Sequence, residues 1–129
     1  MPDALALLAR VFLAGIFVQG ALGKILGWSG QADYMARHGL RFVPFLLGAA
    51  LVVEAVGTLC LVLGVRARLA AFVMCLYLLA VSVLLHDFWA GGASAGMNQT
   101  HFFKNLAICG GLLMVAAFGP GRWALRPRG

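Results

Sequence analysis

The residues of this chain that could do chemistry are few, and most of them interrupt long apolar stretches. Gln19, Lys24, His86, His101 and Asn105 supply amide, ammonium and imidazole groups. An imidazole exchanges a proton near neutral pH, an ammonium group supplies positive charge, and an amide supplies neutral hydrogen bonds. Together these groups suit a quinone oxygen or a small anion, so we predict that they bind a ligand if the fold brings them together.

Other reaction classes find less support in the sequence. Cys60, Cys75 and Cys109 fall in three separate apolar stretches and form no Cys-x-x-Cys pair, so we predict no dithiol chemistry. His86 and His101 match no metal-ligand spacing, and no metal site is predicted. The sequence also lacks a phosphate-binding glycine loop and a serine nucleophile elbow.

Composition indicates that lipid is part of the solvent of this protein. The 129 residues are 63% hydrophobic and 11% charged, and their mean hydropathy is +0.96. Soluble domains are about half apolar and about a quarter charged. The net charge of +6 is interpreted as the basic bias of membrane loops, and no nucleic-acid partner is expected.

Four apolar stretches come close to the ~20 residues that an α-helix needs to cross a ~30 Å hydrocarbon core. Gly64 and the Gly119–Gly121 segment supply helix-stop chemistry after the second and fourth stretches. We therefore predict an all-α fold, an integral membrane four-helix bundle, in one transmembrane domain over residues 1–129. The predicted helices cover about 4–22, 43–63, 69–85 and 102–118.

The distribution of basic residues predicts the orientation in the membrane. An even number of spans puts both termini on the side of the turn between the second and third helices, with Arg66, Arg68, Arg122, Arg126 and Arg128. The opposite side holds Lys24, Arg37, Arg41 and Lys104, spread over two longer loops. The positive-inside rule then predicts a multi-pass protein of the inner (plasma) membrane with both termini in the cytoplasm.

Charged residues inside the spans are expected to face the bundle interior and to have partners. At 1.5 Å of rise per residue, Arg10 lies about 9 Å and Glu54 about 14 Å from the cytoplasmic face, while Lys24 lies at about 30 Å. These heights predict a structural ion pair between Arg10 and Glu54, with Lys24 too distant to take part. An alternative is that Glu54 is a protonatable carboxyl group in a proton or quinone path.

The remaining polar groups form an outer layer. Gln19, Asn105 and His86 fall at about 22–26 Å on the same scale, and His101 lies at the outer end of the fourth helix. We predict a shared pocket here, formed by the outer ends of the first, third and fourth helices. The alternative is that these side chains face outward and meet lipid headgroups.

Several short motifs, in this order and spacing, resemble the DoxX family of small bacterial membrane proteins. They are Leu8–Arg10, Gly20–Lys24, Glu54, Leu63–Arg68, His86, Phe103–Leu106 and Phe118–Trp123. The resemblance implies a four-helix membrane bundle. The family is named for a subunit of an archaeal terminal quinol oxidase complex, and related subunits belong to a thiosulfate:quinone oxidoreductase. Other members look like membrane anchors in oxidative-stress or thiol-stress assemblies.

The resemblance and the outer polar layer together predict a membrane subunit of a quinone-linked redox or stress-response system. It would bind a small amphiphile or a protein partner at that layer. If the chain is an enzyme, we expect a quinone-linked oxidoreductase subunit; the sequence assigns no cofactor, and a quinone is the candidate. Two alternatives stay open, a non-catalytic scaffold or assembly factor and a small transporter or exporter. Expected partners are the lipid bilayer and a protein or a second copy of the chain.

Overall fold

The computed structural model describes residues 1–125, and these residues are almost entirely helical. Five α-helices and one 3-10 turn follow one another, with no strand in this part of the chain. The elements are α1 (Pro2–Leu26), α2 (Trp28–Arg37), α3 (Val43–Leu63), α4 (Ala67–Leu85), the 3-10 turn (Phe88–Ala90) and α5 (Ala95–Phe118).

Helices α1, α3, α4 and α5 are each long and apolar enough to cross a membrane. This finding confirms the predicted all-α bundle with four spans. The bounds of α3 are those expected from the sequence, whereas α1 and α4 are somewhat longer. Helix α5 begins at Ala95 rather than at 102, because about two more polar turns precede its apolar part.

Helix α2 was not predicted, and the segment between the first two spans was expected to be a loop. It is short and more polar than the spans, so a search for long apolar stretches passes over it. It begins directly after Gly27, and the chain then turns at Gly39, whose φ of +79° favours glycine. Helix α2 therefore lies beside the C-terminal end of α1 as a separate element.

The four long helices pack in the order α1 on α3, α3 on α4 and α4 on α5. Phe17, Leu61, Met74 and Leu112 form the centre of the buried core. Many large apolar side chains lie on the outside instead, among them Phe12, Phe45 and Phe118, each about three-quarters exposed. Such a surface is unfavourable in water and suits contact with lipid tails.

The bundle has two ends. The start of α1, the α3–α4 turn and the segment Gly119–Leu125 lie at one end, which we call the terminal face. Helix α2 and the 3-10 turn lie at the other, which we call the loop face. Arg126 and Arg128, which contribute to the predicted charge bias, fall outside the described residues.

The segment after α5 packs onto the terminal face. The backbone N–H of Leu125 donates to the carbonyl oxygen of Leu63 at 2.9 Å, and the N–H of Arg122 donates to Asp3 Oδ1 at 2.9 Å. Gly64, at φ +73°, has Ala124 directly against it, so no side chain fits at this position. The C-terminal segment thus joins the ends of α1 and α3.

Candidate ligand cavity at the loop face

A cavity of about 680 Å³ lies in the half of the bundle nearer the loop face. Residues of all five helices line it, and most of its wall is apolar. The five residues predicted from the sequence as ligand-binding candidates all belong to the lining: Gln19, Lys24, His86, His101 and Asn105. The structure therefore brings these five residues to one cavity, while their binding of a ligand stays a prediction.

A buried carboxylate forms the polar centre of this cavity. Glu54 of α3 is 5% exposed. Lys24 Nζ donates to Glu54 Oε1 at 2.9 Å and to Oε2 at 3.1 Å, and the hydroxyl of Tyr77 donates to Oε1 at 2.6 Å. Gly20 makes room for the carboxylate, since a Cβ atom there would lie 3.0 Å from Glu54 Oε1. Three spanning helices thus meet at one carboxylate.

The predicted ion pair between Arg10 and Glu54 is wrong. Arg10 is fully buried, and its guanidinium donates to the carbonyl oxygens of Leu61 at 2.9 Å and Val62 at 3.0 Å. It also donates to the carbonyl oxygen of Trp123. Arg10 therefore binds the C-terminal end of α3 and the C-terminal segment, where the helix dipole favours a cation.

The direction of helical side chains explains why Glu54 pairs with Lys24 and not with Arg10. Each Cα–Cβ bond in a helix tilts toward the helix N-terminus. Helix α1 runs from the terminal face to the loop face, so Arg10 leans toward the terminal face. Helix α3 runs the opposite way, so Glu54 leans toward the loop face, while Lys24 leans back toward Glu54. Heights measured along the backbone alone place the three charges incorrectly.

Asn105 is held by a second chain of hydrogen bonds within the bundle. Its side-chain amide Nδ2 donates to Ser82 Oγ at 3.1 Å, and the Ser82 hydroxyl donates to the carbonyl oxygen of Leu78 at 2.7 Å. Asn105 is 6% exposed. These bonds fix the orientation of its amide at the cavity wall, on the α4–α5 side.

Two histidines lie together near the mouth of the cavity. The rings of His86 and His101 have centroids 5.1 Å apart, and Lys104 Nζ lies 3.2 Å from His101 Nδ1. The Nδ1 atom of His86 is buried and has no hydrogen-bond partner within residues 1–125. Because a buried polar atom normally has a partner, this nitrogen is a candidate contact for a bound molecule.

Helix α2 covers the cavity from the loop face. Gln31, Tyr34 and Met35 line it, and the Tyr34 hydroxyl donates to the carbonyl oxygen of Leu85 at 2.8 Å. Partial burial raises the pKa of Tyr34, and the negative charge of Asp87 raises it further. The phenol therefore stays neutral and keeps its donor proton at ordinary pH.

Sequence reasoning missed Tyr34 and Tyr77 as residues of the cavity. A signal for Tyr34 exists, because the spacing of Gln31, Tyr34 and Met35 is that of one helix face. For Tyr77 the signal is its hydroxyl, which must find a partner inside an otherwise apolar span. Glu54 was singled out from the sequence, but with the wrong partner and outside the ligand-binding group.

Comparison with known proteins agrees with this architecture. The family model DoxX matches residues 5–87, which is more than half of the chain. The chain belongs to the DoxX family. The resemblance seen in the sequence motifs is thereby confirmed. The DoxX match includes Lys24, Glu54, Tyr77 and His86, and ends before α5.

Relatives of this DoxX protein extend over nearly its whole length. It is 33% identical to the inner membrane protein YphA of Escherichia coli K12 over 125 residues, which cover 96% of this chain and 89% of YphA. It is 32% identical to the inner membrane protein YqjF of the same organism over 126 residues, covering 97% of this chain and 92% of YqjF. With its four spans and these relatives, the chain is a multi-pass inner membrane protein.

A more distant relative comes from yeast. The ER-derived vesicles protein ERV29 of Saccharomyces cerevisiae is 28% identical over 86 residues, covering 64% of this chain and 28% of ERV29. No solved structure matches the chain.

Proposed function

We propose that this DoxX protein is a membrane subunit that binds a quinone-like amphiphile in the loop-face cavity. It would work within a redox or stress-response system of the inner membrane. The observation that carries the proposal is the cavity itself, where apolar walls surround the hydrogen-bonded cluster of Glu54, Lys24 and Tyr77. Its volume lies within the ~300–1,000 Å³ usual for small-molecule sites.

The lining of the cavity fits both the hydrocarbon tail and the oxygen-bearing ring of such a molecule. Apolar residues of α3 and α4, such as Leu46 and Leu84, would contact a hydrocarbon tail. Lys24, His86 and Asn105 would bind the ring oxygens, because each carries an N–H donor. The buried Nδ1 atom of His86, which has no partner within residues 1–125, supports a polar contact at this position.

The carboxylate cluster supplies groups that hold and transfer protons. A quinone that is reduced takes up protons, so a site for it benefits from a nearby acid and base. The Tyr77 hydroxyl lies 2.6 Å from Glu54 Oε1, and Lys24 Nζ donates to both oxygens of the same carboxylate. A proton can therefore be exchanged within this hydrogen-bonded group without crossing an apolar region.

Titration of the purified protein in lipid nanodiscs with a short-chain benzoquinone, followed by calorimetry, tests the proposal. We expect saturable binding that weakens at least tenfold in His86→Ala and in Asn105→Ala. The control is Arg41→Gln, which removes a charge on the loop face outside the cavity and should bind like the parent. Thermal unfolding of each variant separates lost binding from lost structure.

Unchanged binding in both cavity variants, or no saturable binding by the parent, would overturn the proposal. A scaffold would then become the leading function, and one observation favours it. Phe88, Trp89, Phe102 and Phe103 form a cluster with ring centroids 5.3–5.9 Å apart. Trp89 and Phe103 are more than half exposed. A specific protein that co-purifies with the parent and is lost in Trp89→Ala would support this function.

For the orientation, we infer that the terminal face lies in the cytoplasm. The basic residues of the α3–α4 turn and of the C-terminal segment support this inference. In a cysteine-free background, Ser94→Cys should react with an impermeant maleimide in intact cells. Leu125→Cys should react only after the membrane is opened. The reverse pattern would invert the orientation and leave the cavity unchanged.

A further inference from the structure

A second cavity, of about 330 Å³, lies on the outside of the bundle between α3 and α4. We call it the α3–α4 groove. Its walls are apolar, formed by side chains such as Val52, Val56 and Cys60 of α3 and Ala70 and Val73 of α4. Arg66 is the single charged residue of its lining, and it lies at the terminal-face end. Val53 lines both this groove and the loop-face cavity, whereas none of the polar residues of that cavity lines the groove.

The groove extends over most of one leaflet of the bilayer. Its α3 wall extends from Val52 to Cys60, which is about 12 Å at 1.5 Å of rise per residue, and Arg66 in the α3–α4 turn continues the lining toward the terminal face. Half of a ~30 Å hydrocarbon core is about 15 Å. A single acyl chain that enters from the terminal face would therefore lie along the whole groove.

The charge at the end of the groove favours an anion. Arg66 is exposed and makes no ion pair within residues 1–125. The one acidic side chain near this face, Asp3, already accepts a hydrogen bond from the backbone of Arg122. The headgroup level of the groove thus carries positive charge that the described residues leave unneutralised, as in the basic pockets that bind acidic lipids between spans.

We propose that the α3–α4 groove is a binding site for a phospholipid with an anionic headgroup. One acyl chain lies between α3 and α4, and the phosphate lies at Arg66. A concave apolar surface with a cation at its headgroup end fits this occupant in shape and in charge. The site lies apart from the polar groups of the loop-face cavity, and Val53 of α3 stands between the two.

Native mass spectrometry of the full chain, with phosphatidylglycerol and phosphatidylcholine added in turn, tests this site. We expect the parent to bind phosphatidylglycerol more tightly. Arg66→Gln should weaken phosphatidylglycerol binding about fivefold, because one basic residue near the membrane surface is worth about 1 kcal/mol. The matched control is Arg68→Gln. Arg68 is exposed on the same face but packs beside Gly119 and does not line the groove.

A second pair of variants tests the acyl-chain part of the site. Ala70→Leu fills the groove without changing its charge, and it should weaken binding of both lipids. Val73→Phe also fills the groove, from a more exposed position. It replaces Ala70→Leu in the test if Ala70→Leu lowers the melting temperature. Equal losses in Arg66→Gln and Arg68→Gln would overturn the proposal in favour of general surface charge. A dimer that excludes lipid and that Val73→Phe disperses would assign the groove to a second copy instead.

Discussion

The change Lys24→Met tests how the buried carboxylate at the centre of the bundle is held. Methionine keeps much of the length and apolar stem of lysine but removes the ammonium group that contacts both oxygens of Glu54. The carboxylate would keep only its hydrogen bond from Tyr77. With Glu54 only 5% exposed, its carboxylate depends mainly on these protein partners.

The expected loss follows from this burial. Removing one partner of a buried ion pair costs about 3–5 kcal/mol. Because the hydrogen bond from Tyr77 remains, we expect Lys24→Met to lose about 3 kcal/mol of unfolding free energy, at the lower end of this range. Glu54→Gln should lose less, about 1–2 kcal/mol, because the freed lysine can extend toward the loop face.

The double variant Lys24→Met/Glu54→Gln leaves no charge at the position of this ion pair. We expect it to lose about 2 kcal/mol in all, so that the two residues show a coupling energy of about 2–3 kcal/mol. Unfolding in mixed detergent micelles with increasing dodecyl sulfate, followed by circular dichroism, measures each of these free energies. This comparison is a double-mutant cycle, and its control is a second cycle that combines Arg10→Gln with Glu54→Gln. The losses of unfolding free energy in the control cycle should add within about 0.5 kcal/mol, because the two residues do not pair.

The two cycles together decide which cation holds the carboxylate. Coupling below about 0.5 kcal/mol in the Lys24 cycle would refute the pairing, even if each single variant is unstable. Strong coupling in the Arg10 cycle would restore the pair expected from backbone heights. Equal coupling in both cycles would indicate a general field effect rather than a specific contact.

Three further changes probe neighbouring contacts. Gly20→Ala should lower the melting temperature, because its Cβ would lie 3.0 Å from the buried carboxylate. The control is Gly15→Ala, which has open space around it and should raise the unfolding free energy by about 0.5–1 kcal/mol. Arg10→Lys should lose about 2 kcal/mol of unfolding free energy, since an ammonium group cannot replace the guanidinium fork that binds three carbonyls; parent-like unfolding would contradict this. The tyrosinate absorbance of Tyr34, isolated as the difference between parent and Tyr34→Phe, should appear above pH 10 and shift to lower pH in Asp87→Asn. No shift in Asp87→Asn would show that burial alone raises this pKa.

The fold was largely predictable because a membrane restricts the alternatives. Long apolar stretches can only form helices there, and the bounds of α3 follow from the sequence without change. Helix α2 was not predicted because its signal is the spacing of Gln31, Tyr34 and Met35 on one helix face rather than a continuous apolar stretch. The polar start of α5 was not predicted because it, too, is not a continuous apolar stretch.

The residues that line the cavity were partly predictable, but their contacts were not. Gln19, Lys24, His86, His101 and Asn105 were placed together correctly, because the outer ends of packed helices must meet at one level. The partner of Glu54 was wrong because a long side chain displaces its charge from its own Cα along the helix axis. For a lysine and a glutamate on antiparallel helices, these displacements add.

The three carbonyl partners of Arg10 are made at very different times during synthesis. The ribosome produces Arg10 first, the α3 carbonyls of Leu61 and Val62 much later, and Trp123 last, 113 residues after Arg10. Helix α1 must therefore enter the bilayer with an unsatisfied guanidinium, which only the headgroup region near the terminal face can solvate. The arrival of α3 relieves part of this cost, and the C-terminal segment completes the burial. We therefore expect membrane insertion and final packing of α1 to be separate events, the second completed only when the segment with Trp123 is in place.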